Sequence, residues 1–321
     1  MDFLAILAQI VRIAVPYLFA ASGGVVAERA GVVSLTLEGF MLTGAFCAAL
    51  GSYYSGNPWI GVLAGVGGGL LFGMIHAVAS VRYKADQIVV GIAVNLLAVG
   101  LTRYFLRFAF DSSSNSPRVP GFGATSGGGA STVSTVASAA APSVSGTTET
   151  AAAAGGGLSP LASLNNPLIW IGLLAIPVVA FVVYRTAFGL RLRAAGEKPE
   201  AALSLGVPVA RVRYGAVALS GVLAALGGTY LALDQHQFTD QMTAGRGFIA
   251  LAAVIFGRWD PLRAGVACFL FAAAETLQIQ LQGSSVPSQF VEMIPYALTI
   301  VALAGVVGRA VPPAALGKAE A

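Results

Sequence analysis

Charge is what this chain has least of. Of its 321 residues, 10% are Asp, Glu, Lys or Arg and 56% are hydrophobic, whereas a soluble domain carries about 25% charge. That balance excludes a soluble globular enzyme. The net charge of +4 collects in a few loops and forms no basic patch, so no nucleic-acid partner is expected. Cysteine and histidine are equally scarce. Cys47, Cys268, His76 and His236 have neither disulfide nor metal-ligand spacing, so no metal site is expected. A phosphate-cradling loop of the form GxxxxGK[ST] is absent as well. The only Gly-Lys pair, Gly317-Lys318, is followed by Ala319, so the chain catalyses no ATP chemistry of that kind. The opening "MDFLAILAQIVRIAVPYLFA" lacks a basic leading region and a small-residue cleavage site, and reads as a retained helix.

Long apolar runs and 40 glycines are what the chain has instead. The runs fall at about 3–21, 34–50, 59–81, 87–109, 167–184, 214–233, 247–257, 264–282 and 291–308, and all but 247–257 approach the length of a membrane crossing. Gly and Pro interrupt several, so about eight to ten transmembrane helices are expected. The fold class is an all-α, multi-pass integral membrane protein with half-spanning or broken helices, and small residues let such helices approach closely.

Lys and Arg set the orientation. The connection over 185–213, with Arg185, Arg191, Arg193, Lys198, Arg211 and Arg213, is expected to be cytoplasmic, as is "VRYKAD" with Arg82 and Lys84. Residues 111–165 are then external. Their core is low-complexity Gly, Ala, Ser and Thr, which buries too little apolar surface to offset ordering entropy. The organisation is therefore an N-terminal transmembrane half (1–110), an external loop (111–165) and a C-terminal transmembrane half (166–321) that contains the cytoplasmic loop 185–213. The side on which the chain begins is open.

"TAGRGFIALAAVIFGRWDP" (243–261) holds an apolar stretch too short to cross. Its eleven residues rise only about 16 Å as a helix, roughly half a hydrocarbon core. A half-spanning helix is tolerated where its ends are buried in protein or face a water-filled cavity, which would make it one side of a translocation pathway. The alternative is a helix that starts near Gln241 and spans obliquely. "NPWIGVLAGVGGGLLFGMIHA" (57–77) and "DPLRAGVACFLFAAAETLQI" (260–279) open alike, with Asn57 expected outside and Asp260 inside. An inverted repeat, a construction of transporters, is the reading; coincidence between Ala/Gly-rich helices is its rival.

Ionisable and amide side chains inside apolar runs are costly and tend to face a cavity or a partner. Glu38 and Glu275 sit in such runs, with Gln278 and Gln282 following Glu275 on one face. Gln87, Asn95 and Thr102 share another face. The candidate substrate path is Glu38, Gln87, Asn95, Arg246, Phe248, Glu275 and Gln278; interhelical hydrogen bonding is the competing role. His76 is expected to be a packed helix contact. Asp234, His236, Asp240 and Arg246 are candidates for pairing with an external protein. Trp259 and Tyr230 are expected at the membrane interface.

"GVVSLTLEGFMLTGAF" (31–46), "ADQIVVGIAVNLLAVGLTRYFL" (85–106), "RAAGEKPEAALSLGV" (193–207), "TAGRGFIALAAVIFGRWDP" and "ETLQIQLQ" (275–282) resemble the permease subunits of bacterial ABC importers. The branch is that of the ribose and branched-chain amino-acid permeases, and the segments look most like the nucleoside permeases that work with a basic-membrane-protein type lipoprotein. The resemblance spans nearly the whole chain except 121–157. Lys198 departs from it, standing where Asn is expected. The resemblance implies purine-nucleoside import by alternating access, with ribose as the alternative cargo. An ion-coupled secondary transporter is the rival of another class. It further implies a multi-pass protein of the bacterial plasma membrane. Its partners would be a separate ATPase that carries ATP and Mg, a second homologous permease forming a heterodimer, and an extracytoplasmic lipoprotein; the chain itself would hold no cofactor. It also implies that the short helix after Pro199 is the coupling helix, on Gly196, Glu197, Pro199, Ala202 and Gly206.

Overall fold

The computed structural model describes residues 3–112, 114–122, 165–281 and 311–318. Among them the fold is helical, and the one β-bridge, Asn115 to Thr239, is isolated. Ten helices follow in order: α1 Phe3–Arg29, α2 Leu37–Ser55, α3 Pro58–Ala77, α4 Gln87–Phe110, α5 Pro167–Arg185, α6 Ala187–Glu197, α7 Pro199–Ser204, α8 Val209–Asp234, α9 Arg246–Phe256 and α10 Pro261–Leu281. Six of them, α1, α3 (extended by a π turn to Arg82), α4, α5, α8 and α10, are long and apolar enough to cross a membrane. Eight of the nine apolar runs correspond to described helices; the run at 291–308 lies outside the described residues.

Local chemistry sets the helix starts. Asn57, Asp86, Asn166 and Asp260 each stand just before a helix and accept backbone N–H groups of its first turn, at 2.9–3.1 Å. These side chains satisfy donors that would otherwise be orphaned. Pro58, Pro167 and Pro261 occupy the first helical position, where a missing N–H costs nothing.

α8 is the central helix, and α1, α2 and α3 pack on it through small residues. A Cβ at Gly228 would overlap the Met41 carbonyl, and one at Gly69 would overlap that of Gly221. Backbones approach this closely only where no side chain intervenes.

Cross-helix contacts define two ends. At one, Arg29 donates to the Trp259 carbonyl (2.8 Å) and Tyr184 to Asp260 (2.8 Å). Arg82, Lys84, Arg185 and the α6–α7 segment belong to this basic end, the one the positive-inside rule expects on the cytoplasmic side. At the other, Arg12 pairs with Asp234 and Arg103 with Asp240, while Ser52 bonds the Pro120 carbonyl. α1 therefore starts at the end opposite the basic one.

The chain path is repeated upside down. α1 descends to the basic end, residues 30–36 turn back, α2 begins inside the bundle beside Gly24 and rises, and α3 descends. α8 ascends, residues 235–245 turn back, α9 begins inside the bundle beside Glu38 and descends, and α10 ascends. Asn57 and Asp260, the matched caps, lie at opposite ends.

Candidate substrate path and coupling surface

α9 starts at Arg246, not near Gln241, because Gly245 before it adopts a left-handed φ of +80°. The 11-residue helix is half a crossing. Its first turn meets the first turn of α2, and Glu38 joins them. One carboxylate oxygen of Glu38 accepts the Thr243 hydroxyl (2.6 Å) and the Gly245 N–H (2.9 Å); the other accepts the Gly247 N–H (2.7 Å). The carboxylate therefore caps α9 while lying in the first turn of its own helix, and two positive helix ends stabilise it. Gly247 cannot carry a side chain, since a Cβ there would stand 2.5 Å from the Glu38 nitrogen.

Arg246 turns away from Glu38. It reaches Glu275 of α10 (2.7 Å), which also accepts the Tyr17 hydroxyl of α1. A compact charge pair thus ties three helices at mid-depth. Gln278, one turn on, is half-buried. On α4, Gln87 accepts the Val33 N–H (2.8 Å), and Asn95 accepts the Gly39 N–H (2.9 Å) while donating to the Leu35 carbonyl (2.8 Å). The α4 stripe thus pins the turn that delivers α2. Thr102 is spent on its own helix, at the Ala98 carbonyl.

Glu38, Asn95 and Phe248 share a groove; Gln87, Arg246, Glu275 and Gln278 do not line it. It measures about 460 Å³ and is walled by α2 (Gly39, Leu42), α4 (Ile92, Leu96, Val99) and the segment 241–248, a volume suited to a small organic molecule. The irregular backbone over 241–245 forms one rim. Sequence reasoning missed Tyr17, Gln241 and Thr243. Tyr17 gave no signal inside an apolar helix, and the other two looked like ordinary loop residues.

Three further groups of residues singled out in the sequence have these places. Trp259 and Tyr230 are buried, and the Trp259 indole donates to the buried Glu28 carboxylate. Trp59 and Trp170 are the exposed tryptophans near the external end. Asp234, Asp240 and Arg246 are engaged within the chain, and His236 sits against the Val119 carbonyl (3.3 Å). The 121–157 segment begins with packed residues: the Phe122 ring meets Trp59 edge-on at 4.9 Å. From 123 onward it lies outside the described residues, as does Gln282.

At the basic end, α7 follows α6 after Lys198. It closes with paired bonds from Gly206 N–H to Leu203 and from Val207 N–H to Ala202, Gly206 taking φ +78°. That is a Schellman stop. Ala202 is buried while Leu203 and Leu205 are exposed, Leu205 at 83%. Gly196 leaves no room for a Cβ, which would overlap the Arg29 carbonyl, and its own carbonyl accepts the Ala315 N–H (2.9 Å). Segment 311–318 thereby straps α6 to the α1–α2 turn, where Gly317 N–H meets the Gly31 carbonyl (3.3 Å). Glu197, Pro199 and Arg213 border a cavity of about 520 Å³ beneath this strap.

Opposed repeats and a helix that begins at mid-depth beside a groove define a membrane transport subunit. The family described as "branched-chain amino acid transport system / permease component" matches residues 6–303, and the chain belongs to it. It is 36% identical to the guanosine ABC transporter permease protein NupQ of Bacillus subtilis, over 99% of this chain and 98% of that one. It is 34% identical to the nucleoside ABC transporter permease protein NupC of Lactococcus lactis, over 97% and 95%. A Haloferax volcanii permease, TsgC13, whose name carries a provisional glucose assignment, is 33% identical over 86% and 77%. No solved structure matches the chain. The protein is a multi-pass integral membrane permease.

Proposed function

We propose that this chain is the membrane subunit of an ABC importer that carries nucleosides across the bacterial plasma membrane. The observation that carries the reading is the near end-to-end similarity to two permeases named for nucleosides, together with a mid-depth groove of nucleoside size. ATP and Mg reside on a separate ATPase, which docks on α7 through the exposed Leu203 and Leu205. Closure of that ATPase moves α6–α7 and, through the 311–318 strap, the turn that delivers α2. A second, homologous permease completes the path, and an external lipoprotein delivers the cargo. The groove then opens alternately to each side.

Reconstitution tests this. The chain with its ATPase, second permease and binding protein in proteoliposomes is expected to hydrolyse ATP faster when guanosine or adenosine is added. Stimulation by glucose or ribose instead would keep the machine and change the cargo. Uptake that survives without the ATPase and collapses with a protonophore would replace the machine with an ion-coupled carrier.

A further inference from the structure

The groove between α2, α4 and α9 holds a feature that lipid cannot cover. Residues 241–245 are non-helical, with left-handed φ at Gln241 (+56°), Ala244 (+46°) and Gly245 (+80°), and Gln241 and Ala244 are exposed. Irregular backbone at membrane depth is tolerated only against protein or water. This face therefore borders the aqueous path or the second permease, and the groove opens onto it.

Its lining is selective. Ile92, Leu96, Val99 and Leu42 give apolar walls, and Phe248 is the one aromatic ring among the lining residues. Phe248 sits in the first turn of α9 and is 47% exposed, so its ring is not consumed by packing. The polar groups are few. Glu38 and Asn95 already hold the two helix starts, and the Thr243 hydroxyl is given to Glu38. Gln241 makes no side-chain hydrogen bond among the described residues. A nucleobase offers a flat π face on which an exposed ring can stack and polar edges that a free carboxamide can read.

We infer that Phe248 is the surface on which the transported nucleobase stacks, with the Gln241 carboxamide reading the edge of that base. The inference rests on the nucleoside reading above and assigns its specificity to two residues. Stacking has the strength to do this: removing an aromatic partner from a base weakens binding by roughly tenfold or more.

The test uses the complete importer in cells, with adenosine uptake measured for the unaltered chain, Phe248→Tyr and Phe248→Leu at matched abundance. Phe248→Tyr keeps the ring and is expected to stay within about threefold of wild type. Phe248→Leu keeps apolar bulk but loses the π face, and is expected to lower Vmax/KM by about tenfold. Gln241→Ala is expected to shift the ratio of guanosine to adenosine competition several-fold. Because Leu could alter folding, a second measurement is independent of it. In a chain with Cys47 and Cys268 replaced by Ser, maleimide labelling of Phe248→Cys should slow with excess adenosine and not with ribose. Equal uptake by all three Phe248 forms, or labelling blind to adenosine, overturns the inference while leaving nucleoside import in place. Failure of the unaltered importer to take up adenosine overturns both.

Discussion

Glu38 holds two helices by one carboxylate, and its loss has a specific signature. Glu38→Gln keeps an oxygen for Thr243 and Gly245 but removes the acceptor of the Gly247 N–H. A donor left unpaired in the bundle costs about 1–3 kcal/mol, and the thermal melt of the detergent-solubilised permease should fall accordingly. An unchanged melt would mean that the carboxylate does not cap α9. The Arg246–Glu275 pair behaves differently. Its side chains keep 23% and 18% of their exposure, so a lone survivor is partly hydrated. Arg246→Met alone should destabilise by up to about 3 kcal/mol, and adding Glu275→Leu together with Tyr17→Phe, which removes the hydroxyl that Glu275 accepts, should restore much of that loss, since apolar side chains can replace a buried ion pair. Additive losses in a double-mutant cycle would contradict the contact. Glu38 and Glu275 were legible in the sequence because an ionised group inside an apolar run demands a partner. Tyr17 and Trp259 were not: an aromatic in a hydrophobic helix is compatible with every face, and only tertiary packing shows which polar atom it meets.

Among the helices, α7 is the clearest case of sequence specifying structure. Pro199 at the first position and Gly206 past the last bound it, and the Schellman bonds follow from that spacing. What the spacing could not reveal is the strap of 311–318 across Gly31 and Gly196, a contact between distant parts of the chain. Leu205 is the tip of this element. Leu205→Asp should leave the melt within about 0.5 kcal/mol, as surface changes do, yet lower ATP-driven uptake at least about tenfold and reduce copurification of the ATPase. Normal uptake would remove α7 from the docking surface. The low-complexity segment yields a different expectation. Deleting 124–157, which spares the packed Gly121 and Phe122, should leave uptake intact at normal expression; loss of uptake would give the segment a role in transport.

Across the whole molecule, the inverted path places matched helix caps at opposite ends of the bundle, and so predicts that they face opposite sides of the membrane. Single cysteines at the exposed Ser55 and Arg263 positions, in a chain lacking Cys47 and Cys268, report this directly. Ser55→Cys should react with an impermeant maleimide in intact cells, and Arg263→Cys only after permeabilisation. The same sidedness at both would break the inversion. The paired "NPW" and "DPL" openings made the repeat visible in sequence, but depth was not. Apolar periodicity marks where a helix runs, and only the meeting of Glu38 with Gly247 fixes α9 as half a crossing. The identity of the groove was least legible, because it is assembled from α2, α4 and α9, which are far apart in sequence.

The most direct measurement is uptake of labelled adenosine by cells with and without this chain, its partner subunits present, in competition with unlabelled guanosine, ribose, glucose or leucine. Uptake that requires the chain and is blocked by guanosine but not by the others is the result expected. Uptake that is independent of the chain, or blocked by ribose or glucose and not by guanosine, would contradict nucleoside import.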